Sequence, residues 1–153
     1  TGLDATYRNY LFYFSDFKPN TDSVQVHIRT STDGGSSYDS GGSDYSYGGG
    51  TVAQSGTAVG GGTGSAIIGP ALSQNVGNDG TLNGVVQLSA PSTSATPTYL
   101  YWNVGHWMAD NNNSFSGGHG FRNATADVDA IQFYWSSGNI HSGRIDMYGL
   151  KAS

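Results

Sequence analysis

The amino-acid sequence predicts an all-β protein, an antiparallel and jelly-roll-like β-sandwich that forms a single domain over residues 1–153. Three observations support this class. The chain has 24 glycines and 12% aromatic residues, and all eleven of its acidic residues are Asp, so strong helix formers are scarce. Several short segments alternate apolar and polar residues with a period of two, and Gly-rich turns separate them. No internal repeat is found, which disfavours a propeller or a solenoid.

The composition also restricts the function. A formal net charge of −5 argues against binding to a nucleic-acid backbone, which needs a clustered basic face. No apolar run approaches the roughly 18–20 residues of a membrane helix, so we expect no membrane insertion. Without cysteine there is no disulfide framework and no thiol nucleophile. The sequence starts at Thr1 with no signal-peptide pattern, and we expect it to be the C-terminal piece of a longer protein.

The first two strands are predicted from their side-chain patterns. Tyr7–Ser15 is rich in aromatic residues, and Val24–Arg29 alternates apolar and polar residues, with a turn at Lys18–Asp22 between them. On the first strand, Tyr10, Phe12 and Phe14 fall on one face, and Leu11 and Tyr13 fall on the other. The apolar side of the second strand is Val24, Val26 and Ile28, and its polar residues should face solvent or a partner.

A turn motif follows the second strand. Ser31–Tyr38 reads S-T-D-G-G-S-S-Y, which fits the Asp-box pattern S-x-D-x-G-x-[ST]-aromatic. Asp33 and Ser31 can bond backbone groups of the turn, the glycines supply positive φ, and Tyr38 can pack back over it. The motif occurs once, so it predicts a β-hairpin at this position and gives little support for glycosidase activity.

The rest of the chain supplies further strands and loops. Gly48–Gly64 is interpreted as a loop with a weak strand around Val52–Val59, because its side chains are small. The other predicted strands are a short one at Tyr45–Tyr47, then Gly84–Ser89, Tyr99–Val104, Val128–Ser136 and Arg144–Leu150.

Loops separate these strands. Pro91–Pro97 connects two of them, and His106–Met108 extends the strand at Tyr99–Val104 past a bulge at Gly105. Asp110–Ser114 and the glycine-rich Gly117–Gly120 are interpreted as loops.

Catalytic and metal patterns are weak. A glycosidase needs two carboxylates across a cleft, and none of the Asp residues lies in such a setting. The four histidines are scattered, which disfavours zinc, and no G-x-S-x-G elbow supports a serine nucleophile. Asp127 and Asp129 lie two residues apart on a predicted strand, so they could hold Ca²⁺, although such residues are more often turn or edge residues. We expect a protein that is not an enzyme and has no cofactor.

The aromatic residues are the remaining signal. Tyr99, Tyr101 and Tyr134 fall opposite the apolar sides of their strands, where exposed rings suit sugar stacking or protein contacts. Trp107 is close in sequence to a polar, Asn-rich segment. The predicted ligand-binding residues are Tyr101, Trp107, Asp110, Asn111, Asn112, Asn113 and His119.

Two parts of the sequence resemble a known family. Three segments carry the resemblance, and they read Y-R-N-Y-L-F-Y-F-S-D-F-K-P-N-T-D, V-H-I-R-T-S-T-D-G-G-S-S-Y-D-S-G and, at the end, D-V-D-A-I-Q-F-Y-W-S-S-G-N-I-H-S-G-R-I-D-M-Y-G-L. Together they resemble a β-rich domain of tailed-bacteriophage virion proteins. That domain is often C-terminal in tail-fibre proteins. The resemblance covers Tyr7–Tyr47 and Asp127–Leu150, and residues 48–122 do not share it.

The resemblance implies a virion protein at the particle surface, commonly a homotrimer that also contacts other virion subunits. We therefore expect a tail-fibre or spike domain that binds a bacterial surface polysaccharide or another host receptor. One alternative is a capsid decoration, cement or head-fibre protein. The others are a depolymerase that acts on capsular polysaccharide, and a free carbohydrate-binding module.

Overall fold

The structure, a computed structural model, describes residues 2–53, 56–68 and 76–151. In this part of the chain there are ten β-strands and no helix, so none of the described residues forms a helix that could cross a membrane. The strands are β1 (Asn9–Pro19), β2 (Val26–Ser31), β3 (Tyr45–Ala53), β4 (Gly56–Thr63), β5 (Ala66–Ile68), β6 (Leu82–Ser89), β7 (Tyr99–Trp107), β8 (Asn113–Arg122), β9 (Ala130–Trp135) and β10 (Ile140–Leu150).

The strands form two antiparallel sheets. The large sheet has seven strands in the order β10-β1-β6-β7-β8-β3-β4, and the small sheet has three in the order β5-β2-β9. Strands β6, β7 and β8 follow one another as neighbours, whereas β1 lies between β10 and β6. The predicted all-β sandwich is confirmed.

The core lies between the two sheets, and aromatic rings connect them. Phe133 of β9 packs edge-on against Phe12 and Phe14 of β1, with ring centroids 5.1 and 5.0 Å away. Trp135 stacks on Phe17 at 5.0 Å. Tyr10, Phe12 and Phe14, which were predicted to share one face of the first strand, are buried, and Tyr13 on the other face is exposed. The predicted apolar side of the second strand, Val24, Val26 and Ile28, is also buried. Alternation in these strands therefore grouped the side chains of each face correctly.

Strand β1 is longer than predicted because it contains a bulge. Its register against both neighbours shifts around Asp16, whose φ is 51°, and pairing resumes as far as Pro19. The backbone N–H of Asp16 donates to Oδ1 of Asn83 at 2.8 Å, which satisfies a group that the shifted ladder leaves free. The predicted turn at Lys18–Asp22 therefore starts two residues later.

The glycine-rich segments are strands, which corrects two predictions. The segment interpreted as a loop with a weak strand forms the β3–β4 pair, and Gly117–Gly120 lies inside β8. The side chains of Trp102 and Tyr47 explain why two positions of β8 are glycine. A Cβ on Gly118 would collide with the Trp102 indole, and one on Gly120 would lie 2.9 Å from Tyr47 Cβ. Glycine at these positions lets large neighbours pack against the bare backbone.

The Asp-box segment forms the predicted turn but no hairpin. The Asp33 carboxylate accepts hydrogen bonds from the Ser31 and Ser37 hydroxyls and from the Ser37 N–H, at 2.6–2.9 Å. Gly34 and Gly35 have positive φ, and Tyr38 lies over Gly35. Strands β2 and β3 on either side belong to different sheets, so the turn begins a crossover between them and the predicted hairpin is wrong.

Strand β7 runs without a bulge. Its pairing with β6 and with β8 continues in register through Gly105 to His106, and with β8 to Trp107. The predicted bulge at Gly105 is therefore wrong, while the extension of the strand past Val104 is confirmed.

Candidate functional site

The candidate site lies on the outer face of the large sheet, which we define as the side turned away from the small sheet. Alternation along β7 and β8 sends every second side chain to this face. Of the described aromatic residues, four on this hairpin are exposed: Tyr99 at 39%, Tyr101 at 47%, Trp107 at 40% and Phe115 at 45%. Apolar surface that is grouped on one exposed face is typical of binding sites.

Two of the predicted site residues meet in the middle of this face. Tyr101 and His119 are directly opposite each other in the β7–β8 register, with ring centroids 6.5 Å apart and planes tilted by 32°. Asn103, two residues along β7, presents its exposed amide on the same face. A phenol, an imidazole and an amide therefore lie within one patch, which offers a ring face together with hydrogen-bonding groups.

Trp107 and Asn113 form a second group at the end of the hairpin. They are directly opposite each other in the register, and the indole of Trp107 packs over Gly80, where a Cβ would collide with it. Trp107 is six residues from Tyr101 along β7, which corresponds to about 20 Å in a strand. The predicted residues thus form two groups instead of one.

Asp110, Asn111 and Asn112 make the turn that joins the two strands. Asp110 Oδ1 accepts the N–H of Asn112 at 3.3 Å, and the N–H of Asn111 donates to the Met108 carbonyl at 3.1 Å. Asn111 has a φ of 62°, a conformation that Asn tolerates well. The turn accounts for the presence of these residue types, so they are weaker candidates for ligand binding than the rings.

Sequence reasoning missed part of the outer face. Phe115 was not singled out because β8 was interpreted as loop, although Asn113, Phe115, Gly117, His119 and Phe121 alternate in the way of a strand. Tyr13 of β1 was not connected with a site either. In the structure its ring lies edge-on to Tyr148 of β10, with centroids 5.6 Å apart.

Tyr134 belongs to a different surface. It lies on the outer side of the small sheet, where its ring is covered by the Arg29 guanidinium at 4.5 Å and its hydroxyl donates to Ser65 Oγ at 2.9 Å. His27 is its cross-strand neighbour, and burial lowers the pKa of that imidazole below its ordinary value. These internal contacts leave Tyr134 half-buried instead of exposed.

The predicted calcium ligands are not arranged as expected. Strand β9 begins at Ala130, so Asp127 and Asp129 precede it and do not share a strand face. Asp129 Oδ2 accepts the N–H of Gly34 at 2.9 Å, which ties the carboxylate to the Asp-box turn. Within residues 2–53, 56–68 and 76–151, no group of three or more His and Asp side chains is placed to hold a metal ion.

Asp33 is a poor candidate for acid catalysis. Hydrogen bonds from Ser37 and Ser31 stabilise its carboxylate and lower its pKa to about 2. A general acid in a glycosidase needs a raised pKa instead. This carboxylate is therefore suited to holding the turn.

Comparisons of the chain with protein-family models, curated proteins and solved structures gave no significant match.

Proposed function

We propose that this chain is a non-enzymatic receptor-binding domain of a bacteriophage tail fibre or spike and that it binds a host surface glycan. The observation that carries the proposal is the exposed aromatic face of the β7–β8 hairpin, with Tyr101 and Trp107 among its rings. Sugars have apolar C–H faces and many hydroxyls. Aromatic rings next to amide and imidazole groups complement both features.

The chemistry of the face favours a sugar over an apolar protein partner. Tyr101 is flanked by Asn103 on its own strand and by His119 on the next. Protein interfaces usually place their aromatic residues in an apolar centre with a polar rim. Here polar groups lie beside both Tyr101 and Trp107, whose opposite neighbour is Asn113, as hydroxyl-rich ligands require.

The distribution of the resemblance over the fold supports a phage origin. The segments that resemble phage virion domains, Tyr7–Tyr47 and Asp127–Leu150, contain β1, β2, β9 and β10. Residues 48–122 contain β4 to β8 and most of β3, including the aromatic hairpin. The aromatic hairpin therefore lies in the part of the chain that the resemblance does not cover. We propose a homotrimer at the virion surface on the same basis.

The first experiment is binding of the purified protein to a panel of bacterial capsular polysaccharides and O-antigens, measured by calorimetry together with an assay for released sugar. We expect saturable binding without sugar release. Trp107→Ala and Tyr101→Ala should each weaken it by about three- to tenfold, since an aromatic contact contributes about 0.5–1.5 kcal/mol. Ile140→Ala, at an exposed position on β10, is the matched control and should bind normally.

A second candidate function is capsid decoration. Strand β10 is an edge of the large sheet and exposes Met147, and such an edge can pair with another virion subunit. Binding to purified capsids without binding to any polysaccharide would favour this function. Sugar release would instead contradict the non-enzymatic proposal.

A further inference from the structure

We infer that the ligand of the proposed glycan site is a linear, uncharged polysaccharide that lies across the strands of the large sheet, from β10 to β3. This inference rests on the proposed function and specifies its ligand class. Under this inference, the main contacts between ligand and protein lie in the middle of the outer face and not at the hairpin turn.

The register aligns side chains in rows perpendicular to the strands. Tyr148 is opposite Leu11, Leu11 is opposite Gln87, Gln87 is opposite Tyr101, and Tyr101 is opposite His119. Tyr148 and Tyr101 are separated by three strand spacings, which is about 14 Å. One row therefore carries two aromatic platforms with an amide between them, at a separation that needs an oligosaccharide instead of a single sugar.

The surface along this row is recessed. A depression of about 430 Å³ is lined by Leu11, Tyr13, Tyr148 and Leu150. A smaller depression of about 120 Å³ lies between Leu11 and the Tyr101 side of β7, with Gln87 and Asn103 in its wall. Leu11 lines both, so the two depressions are neighbours along the row, and together they extend over β10, β1, β6 and β7. We call the two depressions together the furrow.

Glycines continue the furrow beyond His119. Gly48 is opposite His119, and a Cβ built on it would meet nothing closer than the Gly60 carbonyl at 3.9 Å. Gly117, on the same face, would place a Cβ 3.5 Å from Phe115. Packing does not require glycine at either position, unlike the inward-facing Gly118. Bare backbone on an exposed face leaves room for a ligand to approach closely.

The charge along the furrow indicates an uncharged ligand. The register places Arg144 and Asp146 of β10 beside Tyr13, and they form an ion pair of 2.7 Å. A second row runs beside the first, from Asp146 through Tyr13, Val85 and Asn103 to Gly117. Asp146 is the single carboxylate in these two rows of described residues. A cluster of Lys and Arg, which an acidic polysaccharide would need, is not found along these rows.

The test uses neutral glucans, mannans, galactans and O-antigens together with acidic capsular polysaccharides. The neutral polymer that binds best is then cut by partial acid hydrolysis into fractions from monosaccharide to octasaccharide. We expect the affinity to rise at least tenfold between the monosaccharide and the longest fraction. Tyr148→Ala should lower the affinity for the longest fraction by about three- to tenfold. The same variant should leave the affinity for the monosaccharide unchanged.

Gly48→Thr provides an independent variant that adds bulk without disturbing the fold. A β-branched residue is favourable in a strand, and the space above Gly48 is open. We expect at least tenfold weaker binding of the long fraction with an unchanged melting temperature. Gly42→Thr, in a loop position where a Cβ meets nothing within 4 Å, is the matched control and should bind normally.

The outcomes separate this inference from the proposed function. Failure to bind any polysaccharide overturns both. Binding that does not depend on length, or that survives Tyr148→Ala and Gly48→Thr, overturns this inference and leaves a glycan site at the hairpin. Binding restricted to acidic polymers overturns the inferred ligand class.

Discussion

His106 is a buried imidazole without a partner in the described part of the chain. It lies on the inner face of β7 between Leu82 and Ser114, with 5% of its surface exposed, and neither ring nitrogen has a hydrogen-bond partner there. Burial disfavours the imidazolium and lowers the pKa of His106 to about 4. The folded protein therefore holds this side chain neutral at a pH where the unfolded chain would protonate it.

This residue should make stability depend on pH. Between pH 6.5 and about 4, the imidazole of His106 is protonated in the unfolded chain but neutral in the folded protein. The stability that neutral His106 contributes is therefore complete above pH 6.5 and falls as the pH decreases through this window. The loss should reach about 3 kcal/mol. Urea unfolding of the wild type and of His106→Leu at several pH values measures it, and parallel pH curves for the two proteins would contradict the assignment.

Two adjacent glycines of β8 should respond differently to the same substitution. Gly118→Ala places a methyl group against the Trp102 indole and 2.6 Å from the Gly48 carbonyl, so we expect a loss of about 1–3 kcal/mol from overpacking. Gly117→Ala points to the open outer face and should change stability by less than about 0.5 kcal/mol. Chemical denaturation compares the two variants, and equal losses would show that the inner face does not require glycine.

At the scale of the element, the strands that could be predicted are those whose side chains alternate. Strands β1, β2, β6 and β7 present apolar residues at every second position, and their buried faces follow from the sequence. Strands β3, β4 and β8 contain runs of glycine, which has no side chain to alternate. Their strand conformation depends on neighbouring strands and on bulky partners such as Trp102, which local patterns do not reveal.

The Asp-box turn illustrates the same limit. Ser31, Asp33 and the two glycines determine a turn through short-range hydrogen bonds, and this was predictable. The sheet in which the next strand pairs depends on contacts far along the chain. Strand β3 pairs with β8, more than sixty residues away, so local chemistry could not identify the crossover.

The candidate site was predicted only in part, because the rest of it depends on which strands pair. The exposure of Tyr101 and Trp107 follows from alternation along β7. The pairing of Tyr101 with His119 requires the register of β8, and the contribution of Tyr148 requires knowing that β10 lies beside β1. A site formed across strands depends on topology, which a single sequence does not supply.

At the scale of the whole molecule, the two sheets depend on a shared core. The apolar side chains Val26, Ile28 and Trp135 of the small sheet are buried, and the large sheet covers them. Three strands with an uncovered apolar face are at the margin of independent stability. The small sheet should therefore not persist when its contacts with β1 are lost.

This dependence predicts a single unfolding transition. Trp135 reports on the small sheet and Trp102 on the large one, so tryptophan fluorescence and far-UV circular dichroism should give coincident denaturation curves. Phe133→Ala removes the ring that packs against Phe12 and Phe14, and we expect a loss of about 3 kcal/mol with the curves still coincident. Single-tryptophan variants that retain Trp135 or Trp102 separate the two sheets. A transition of the Trp135 signal at lower denaturant than that of Trp102 would mean that the small sheet detaches first, and the interface between the sheets would then be weaker than its aromatic contacts indicate.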